Sequence, residues 1–248
     1  MESTRKTKGG AMEVGDGIQL SGGAWSFDRA ASNFDGHIAR SIPDLPQQRD
    51  FVARLAAFFL HPGARAYELG VSTGRLAEKV LGRIPNRQLR YIGLDDSSAM
   101  IEQAGHNLAA DLRFHGEVAD VAGYSYEPAA LVLSFYTLQF VPAPAREALL
   151  QRIYHAITPG GALVLFEKTL ASDPRIQDLL GQIYMDYKLD QGFTPEEILN
   201  KAGSLRGILD PRTSAWNLAL LRRCGFAAVE IIYRNYCFEG YLAIKDPA

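Results

Sequence analysis

Short apolar segments alternate with helical patterns through the middle of this chain, and this alternation is the feature that most constrains its fold. The apolar segments are typical of buried strands, and they lie at residues 64–69, 91–94, 112–115, 131–135 and 162–166. Helical patterns separate them at residues 73–81, 99–108 and 145–157. Strands that alternate with helices predict βαβ units and a largely parallel sheet.

The segments on either side complete an α/β arrangement. A helix rich in Ala and Leu is predicted at residues 47–60, before the first strand. Residues 227–233 and 238–244 predict two more strands that pair in antiparallel fashion, and residues 170–223 predict a helical insert. Residues 1–23 are rich in Gly, Ser, Thr and charge, so we expect a flexible tail before a single domain at residues 24–248.

Composition argues against several classes of protein. The 248 residues carry 26 Lys and Arg against 28 Asp and Glu, so no net field attracts nucleic acid or an anionic membrane. No apolar run approaches the ~18 residues that a membrane span needs. The first residues lack the apolar core of a secretory signal, and the two cysteines, Cys224 and Cys237, lack metal-ligand spacing. We therefore expect a cytoplasmic protein that binds no metal and no nucleic acid directly.

The segment from Glu68 to Gly74 carries the sharpest local signal. It follows a predicted strand, opens a predicted helix and reads Glu-Leu-Gly-Val-Ser-Thr-Gly. Gly70 and Gly74 allow a tight turn and a close approach of the backbone to a ligand. Ser72 stands where a dinucleotide-binding loop has its middle glycine, and the segment lacks the Lys-Ser/Thr pair of a phosphate-binding loop. The segment therefore predicts a ligand-binding loop without a phosphate cradle.

Acidic residues end the next two predicted strands. Asp95 follows the second strand, twenty-one residues after Gly74, where a carboxylate can accept hydrogen bonds from both hydroxyls of a ribose. Alternatively, Asp95 or Asp96 caps the helix that begins at residues 97–98. Glu117 ends the third strand and could bind an adenine amine. Because open α/β sheets bind ligands at the carboxyl ends of their strands, these residues predict a nucleoside cofactor, and S-adenosylmethionine fits better than NAD or ATP.

Two stretches, at residues 68–74 and 93–101, resemble the first two motifs of class I S-adenosylmethionine-dependent methyltransferases. Residues 158–163 resemble the turn before the fifth strand of the same superfamily. More specifically, the chain resembles the carboxy-S-adenosylmethionine synthase family, which acts in tRNA wobble-uridine modification. The matching stretches are residues 25–28, 40–43, 95–101, 137–140 and 159–168, and the resemblance covers residues 24–245.

This resemblance implies a Rossmann-like fold with a seven-stranded, mostly parallel sheet, an antiparallel last strand and a helical lid insert. It also implies a homodimer that uses S-adenosyl-L-methionine. The cofactor contacts that it implies are Glu68, Gly70, Ser72, Gly74, Asp95, Asp96, Glu117, Val118 and Ser134. Met100, in the second motif, and Arg40, as a clamp for a carboxylate of the cofactor or substrate, complete the predicted binding set.

The chain departs from this family at the substrate end. Leu45 stands where the family has a tyrosine, and Ala202 stands where it has the arginine that holds the extra carboxylate of carboxy-S-adenosylmethionine. A buried carboxylate needs a charge partner or several donors, which Lys201 or Arg206 could supply after a small shift. The main interpretation is therefore methyl transfer from S-adenosylmethionine to a small-molecule acceptor. The alternative is a carboxy-S-adenosylmethionine synthase that uses prephenate.

Methyl transfer requires little chemistry from the protein, because the methyl group of a sulfonium is already activated. The enzyme aligns the acceptor with the S–CH₃ bond and excludes water, and a general base helps where the acceptor carries a proton. Tyr136, after the fourth strand, and Tyr184, in the helical insert, are the predicted catalytic residues. Packing against other elements is the competing interpretation for both. A non-catalytic protein that binds the cofactor or a partner is the third possibility.

Overall fold

The computed structural model of the protein describes residues 12–20, 33–85 and 88–247. Its strands are β1 (Met12–Glu13), β2 (Gln19–Leu20), β3 (Arg65–Leu69), β4 (Arg90–Asp95), β5 (Phe114–Val118), β6 (Ala129–Phe135), β7 (Ile157–Leu170), β8 (Arg212–Thr213), β9 (Ala228–Asn235) and β10 (Phe238–Ile244). Its α-helices are α1 (Phe34–Ser41), α2 (Leu45–Ala56), α3 (Arg75–Arg83), α4 (Ser98–Asn107), α5 (Ala143–Ala156), α6 (Pro174–Asp190), α7 (Pro195–Ser204) and α8 (Ser214–Arg223). A 3₁₀ turn lies at Leu138–Phe140.

The central sheet has the strand order β5-β4-β3-β6-β7-β10-β9, and β8 pairs briefly with the end of β7. Strands β3 to β7 run parallel, whereas β10 is antiparallel to both β7 and β9. The predicted fold class, a mostly parallel sheet with an antiparallel last strand, is confirmed. The chain order reverses beside β3, which pairs with β4 on one side and β6 on the other. Ligands of open α/β sheets bind at such a reversal.

Apolar residues cover both faces of the sheet because a parallel strand is buried from two sides. In β6, Leu131 and Leu133 pack in the core that contains α2 and α3, while Val132, which lies between them, packs in the core that contains α5 and α8. This division follows from the alternation of side chains along a strand. The run of apolar residues that predicted this strand is therefore a consequence of burial on both faces.

Part of the segment predicted as a flexible tail is folded. Strands β1 and β2 pair in an antiparallel hairpin, and Val14 and Ile18 are buried in it. The side-chain amide of Asn200 on α7 donates to the backbone oxygen of Glu13 across 2.9 Å, which attaches the hairpin to the helical insert. The other residues of the predicted tail lie outside the described residues. Within the described ranges, no helix is long and apolar enough to cross a membrane.

Candidate active site

A cavity of about 780 Å³ lies at the carboxyl ends of β3, β4 and β6. The loops that follow these three strands form its floor, and side chains from α1, α2, α6 and α7 form its walls. Of the predicted site residues, seven line this cavity: Glu68, Gly70, Ser72, Asp95, Asp96, Tyr136 and Tyr184. The fold thus brings together Glu68 and Tyr184, which are 116 positions apart in the sequence.

Gly70 provides an open stretch of backbone in the floor. Its φ is +65°, and a Cβ at this position would collide with the side chain of Thr137. The Thr137 hydroxyl donates to the backbone oxygen of Leu69 across 2.7 Å, so the loop after β6 lies against the end of β3. Only glycine combines this dihedral angle with this close approach. The resulting floor is a cradle that a ligand can approach closely.

Asp95 organises the turns that follow β3 and β4. Its Oδ2 accepts from the backbone N–H of Ser72 across 2.8 Å, and its Oδ1 accepts from that of Ser97 across 3.1 Å. The side chain that caps α4 is that of Ser97, which accepts from the backbone N–H of Met100. The Asp95 side chain also lines the cavity, and a carboxylate offers roughly four acceptor sites. The position of Asp95 therefore fits the predicted contact with ribose hydroxyls.

Glu68 lies in the floor next to Asp95 and is almost completely buried, with 2% exposure. Burial raises the pKa of Glu68 to about 8, although a hydrogen bond of 2.5 Å from the Tyr91 hydroxyl and the nearby charge of Arg49 oppose this shift. The side chain is therefore mainly protonated at neutral pH. As a carboxylic acid it can both donate and accept a hydrogen bond within the cavity.

Arg49, on α2, brings a cation to the same part of the cavity. Its Nε is buried and has no hydrogen-bond partner among the described residues. The charges of Asp35 and Glu68 raise the pKa of Arg49, but burial outweighs them and lowers it. A guanidinium in this state is suited to a ligand carboxylate, which it can bind through two parallel hydrogen bonds.

Three lysines, Lys168 on β7, Lys188 on α6 and Lys201 on α7, line another part of the wall. We call them the lysine cluster. The ammonium groups of Lys168 and Lys188 lie 4.7 and 4.5 Å from the centre of the Tyr184 ring. Burial, with the charge of Lys168, lowers the pKa of Lys188 to about 8, and burial with both neighbouring lysines lowers that of Lys201 well below its usual range. An anion bound here would relieve this repulsion.

Helix caps fix the first turns of α6 and α7, which carry two of the three lysines. Helix α6 begins at Pro174, and the preceding Asp173 accepts from a backbone N–H of the first turn. Helix α7 begins with a capping box, in which Thr194 and Glu197 each accept from the backbone N–H of the other. Such caps stabilise a helix start by roughly 1 kcal/mol each. The register of Lys188 and Lys201 is therefore set within their own helices.

The two predicted catalytic tyrosines lie in the cavity wall, but their hydroxyls are bonded elsewhere. Tyr136 donates to Gln48 Oε1 across 2.6 Å, and Tyr184 donates to the backbone oxygen of Ser41 across 2.8 Å. Burial raises the pKa of both tyrosines well above the usual value, so both stay protonated at neutral pH. Their contacts do not suit the predicted role in proton transfer. Instead, they give the wall two fixed aromatic rings.

Three other predicted residues support the floor without lining the cavity. Gly74 begins α3 with a φ of +80°, where a Cβ would lie 2.9 Å from Leu108. Met100 is fully buried, and its sulfur lies 3.5 Å from the Ser72 hydroxyl, which it helps to place. Ser134 is buried at the end of β6, and its hydroxyl has no partner among the described residues.

The structure places the remaining three predicted residues outside the cavity. Glu117 is exposed and accepts from the Tyr124 hydroxyl across 3.0 Å, and Val118 is also exposed. Residues 119–122 line the cavity at this end of β5 instead. Arg40 pairs with Asp16 across 2.6 Å and lies over the ring of Phe193. Arg40 therefore holds the hairpin, and the predicted carboxylate clamp lies on other side chains.

Sequence reasoning missed Arg49, Lys168 and Lys188. A signal existed for Lys188, since it follows Tyr184 by four residues on a helix, and residues at this spacing share a face. Lys168 lies two residues after the apolar stretch of β7, where a parallel strand ends at the ligand-binding edge. Arg49 has no comparable signal, because its position depends on how α2 packs on the sheet.

The fold is shared with solved methyltransferase structures. A putative O-methyltransferase from Nostoc punctiforme superposes with a TM-score of 0.63 at 17% identity, covering 88% of this chain and 60% of that one. Human N-acetylserotonin methyltransferase, solved in complex with S-adenosylmethionine, gives a TM-score of 0.62 at 18% identity, covering 89% of this chain and 57% of that one. At these identities the likeness establishes the fold alone.

Comparison of sequences is more specific. The methyltransferase domain family matches residues 66–161. The carboxy-S-adenosyl-L-methionine synthase of Nitratiruptor sp. is 37% identical over 223 residues, which covers 89% of this chain and 93% of that protein. The enzyme of the same name from Staphylococcus epidermidis is 31% identical over 224 residues, covering 89% and 97%. The chain thus belongs to the carboxy-S-adenosyl-L-methionine synthase family and is an S-adenosylmethionine-dependent enzyme.

Proposed function

We propose that this protein forms carboxy-S-adenosylmethionine from S-adenosylmethionine and prephenate. The bond from the prephenate ring to its carboxylate breaks, and the ring becomes aromatic with loss of hydroxide. The methyl carbon of S-adenosylmethionine gives up one proton and bonds to the released carboxyl group, so that phenylpyruvate and water are the other products. The lysine cluster in the cavity wall is the observation that carries this proposal. Relatives of this protein with matching length bear the name of this activity. The family resemblance suggests prephenate, and the charge of the wall supports a substrate that carries carboxylates.

The floor provides the contacts that S-adenosylmethionine needs. Asp95 would bind the ribose hydroxyls, the backbone from Gly70 to Ser72 would lie against the cofactor, and Arg49 would hold its amino-acid carboxylate. The cofactor supplies an activated methyl group on a sulfonium. The protein's contribution is to orient this group towards the wall and to exclude water from it.

The lysine cluster would hold the carboxylates of the donor and of the product. A buried carboxylate without a partner costs several kcal/mol, so a carboxylated ligand requires cations in this wall. Ala202 lines the cavity where the family has its arginine, and the adjacent Lys201 lines it as well. The ammonium groups of Lys168, Lys188 and Lys201 therefore supply the charge that Ala202 lacks.

Methyl transfer to an anionic small molecule is the second candidate. The departures at Leu45 and Ala202, both of which line the cavity, favour a changed substrate. The lysine cluster would then bind the carboxylate of the acceptor. The described wall holds no deprotonated tyrosine, because Tyr136 and Tyr184 retain their protons, so an acceptor that needs no strong base fits best.

The product decides between these two functions. Purified enzyme is incubated with S-adenosylmethionine alone, and with S-adenosylmethionine and prephenate together, and the nucleosides are identified by mass spectrometry. We expect the carboxylated nucleoside only when prephenate is present. Formation of S-adenosylhomocysteine with an added acceptor, and no carboxylated product, would establish methyl transfer instead.

A pair of lysine variants tests the site itself. Lys188→Met removes one ammonium group of the cluster, and we expect the KM for prephenate to rise about tenfold or more. Lys79→Met is the matched control, since Lys79 pairs with Asp50 on the protein surface, outside the cavity. Equal KM values in both variants would remove the lysine cluster from substrate binding.

We further propose that the enzyme is a homodimer. Ile176, Leu179 and Ile183 on α6 are all exposed, and their spacing places them on one face of the helix. An exposed apolar stripe is typical of a surface that meets another protein. Sedimentation equilibrium of the wild type and of a Leu179→Glu variant tests this, and a wild-type monomer at micromolar concentration would contradict it.

A further inference from the structure

A chain of three polar side chains connects the hairpin of residues 12–20 to the lysine cluster. Asp16 Oδ2 lies 2.9 Å from His37 Nδ1, and His37 Nε2 contacts the ammonium nitrogen of Lys201. Lys201 also donates to the Ser41 hydroxyl across 3.2 Å. His37 is completely buried, whereas Lys201 and Ser41 line the cavity. A segment outside the cavity therefore reaches one of its cations.

The charges along this chain fix its direction. An ionised carboxylate only accepts hydrogen bonds, so the proton of the His37 ring lies on Nδ1, facing Asp16. Burial and the charge of Lys201 lower the pKa of His37 to about 3, so the ring is neutral at physiological pH. His37 Nε2 is then an acceptor, and Lys201 donates to it. Asp16 thus determines the tautomer that holds Lys201.

The hairpin turn is built to place Asp16. Gly15, Asp16 and Gly17 have φ values of +100°, +56° and +72°. A Cβ on Gly15 would lie 2.6 Å from the ring of Phe193, so the turn packs against the segment between α6 and α7. Asp16 itself adopts a left-handed conformation that residues with a Cβ adopt at a cost. Strain is thus maintained where the carboxylate meets His37.

We propose that Asp16 and His37 are positioning residues that hold Lys201 for a ligand carboxylate and thereby set the preference of the cavity for a carboxylated cofactor. This inference rests on the proposed function. A lysine side chain has many rotamers, and fixing one of them before binding lowers the entropy cost of binding the anion. Without Asp16, His37 can take the other tautomer and present a donor to Lys201, which turns an attraction into a repulsion.

The preference is measured as a ratio of two dissociation constants, those of S-adenosylmethionine and carboxy-S-adenosylmethionine, determined by calorimetry on the full chain. The two ligands differ by one carboxyl group, so the ratio reports only on its binding. We expect His37→Phe to lower the ratio about tenfold through weaker binding of the carboxylated ligand. The dissociation constant of S-adenosylmethionine should change by less than about twofold.

Two further variants separate positioning from packing. His37→Gln retains an acceptor for Lys201, and we expect it to recover part of the preference that His37→Phe loses. Asp16→Asn removes the charge at a partly exposed position and tolerates the left-handed conformation, so it should fold even if His37→Phe does not. We expect it to lower the ratio in the same direction.

Asn200→Ala is the matched control. It removes the hydrogen bond from α7 to Glu13 and leaves Asp16, His37 and Lys201 in place. A control that lowers the ratio as much as Asp16→Asn would show that hairpin docking alone matters, and would overturn the inference. The inference would also be overturned if His37→Phe and Asp16→Asn weakened the binding of both ligands equally, or if neither variant changed the ratio. A wild type that binds both ligands equally would also overturn the inference, whereas the proposed function fails only if no carboxylated nucleoside forms from S-adenosylmethionine and prephenate.

Discussion

The backbone N–H of Ser72 lies 2.8 Å from Asp95 Oδ2, so the turn after β3 is fastened to the end of β4. Ser72 is a non-glycine residue with a φ of +52°, and this hydrogen bond offsets the strain of that conformation. The same carboxylate faces the cavity. One side chain thus shapes the loop and would also bind the ligand.

Asp95→Ala should therefore affect binding and stability together. We expect S-adenosylmethionine to bind more weakly by about 1–3 kcal/mol, because contacts to the ribose hydroxyls are lost, and we expect a lower melting temperature. Calorimetry and thermal unfolding measure the two effects. Asp96→Ala, at the exposed neighbouring position, is the control for stability. Unchanged affinity in Asp95→Ala would mean that the ribose binds elsewhere.

Gly70→Ala should destabilise the protein by more than about 1 kcal/mol, since the alanine would have a φ of +65° and its Cβ would collide with Thr137. Gly181→Ala is a matched control within α6, where a Cβ would meet nothing within 4 Å. We expect that change to stabilise the protein by roughly 0.5–1 kcal/mol, as is usual for this substitution inside a helix. Urea unfolding gives both values, and a Gly70→Ala variant as stable as the wild type would refute the tight approach.

Arg49→Met tests the proposed contact with the amino-acid carboxylate of the cofactor. We expect S-adenosylmethionine to bind about tenfold more weakly, while 5′-methylthioadenosine, which lacks the amino-acid group, binds as before. Arg49 Nε has no hydrogen-bond partner to lose among the described residues, and thermal unfolding checks that the variant retains the fold. If both ligands weakened equally, Arg49 would act on the shape of the floor and not on the carboxylate.

Binding of the carboxylated cofactor should depend on pH through Lys188, whose pKa is lowered to about 8. Below this pH the ammonium group of Lys188 is charged and contributes to affinity; above it the charge is lost and this contribution falls. The free energy of unfolding depends on pH in the opposite direction, because Lys188 retains its proton up to a higher pH in the unfolded chain. Between about pH 8 and the ordinary lysine pKa, this group therefore adds stability as pH rises.

Glu68 must be separated from this effect, because its pKa is also raised to about 8 and its ionisation adds a negative charge to the cavity. Calorimetry between about pH 6 and pH 9.5 is therefore repeated with Glu68→Gln and Lys188→Met. We expect the fall in affinity to persist in Glu68→Gln and to be smaller in Lys188→Met. The reverse pattern would assign the pH dependence to Glu68.

The floor of the site was predictable from sequence, whereas only part of the wall was, and the contacts that its side chains make were not. Gly70, Ser72 and Asp95 follow strands of a parallel sheet, and the carboxyl ends of such strands meet at one edge. The hydroxyl of Tyr136, by contrast, bonds to Gln48, 88 positions away, and this partner follows from how α2 packs. Periodicity within one segment carries no information about such contacts.

Two local features differ from the sequence prediction, each for a physical reason. The third strand was predicted from the apolar segment at residues 112–115 and expected to end at Glu117; it is observed at Phe114–Val118, so its start is displaced. Arg113 folds back and donates to the backbone oxygen of Leu81, so the polar segment before the strand is a fixed turn. The hairpin was missed because its strands have two residues each, too few to show alternation.

The lysine cluster takes one ammonium group from each of three elements, β7, α6 and α7. This distribution bears on how membership of the family is recognised from a sequence. Because the positive charge of the wall comes from three separate elements, no single position determines it. The resemblance implies that Ala202 stands where the family has an arginine; a test of membership at that position alone would reject this chain, whereas a test that sums charge over the wall would retain it.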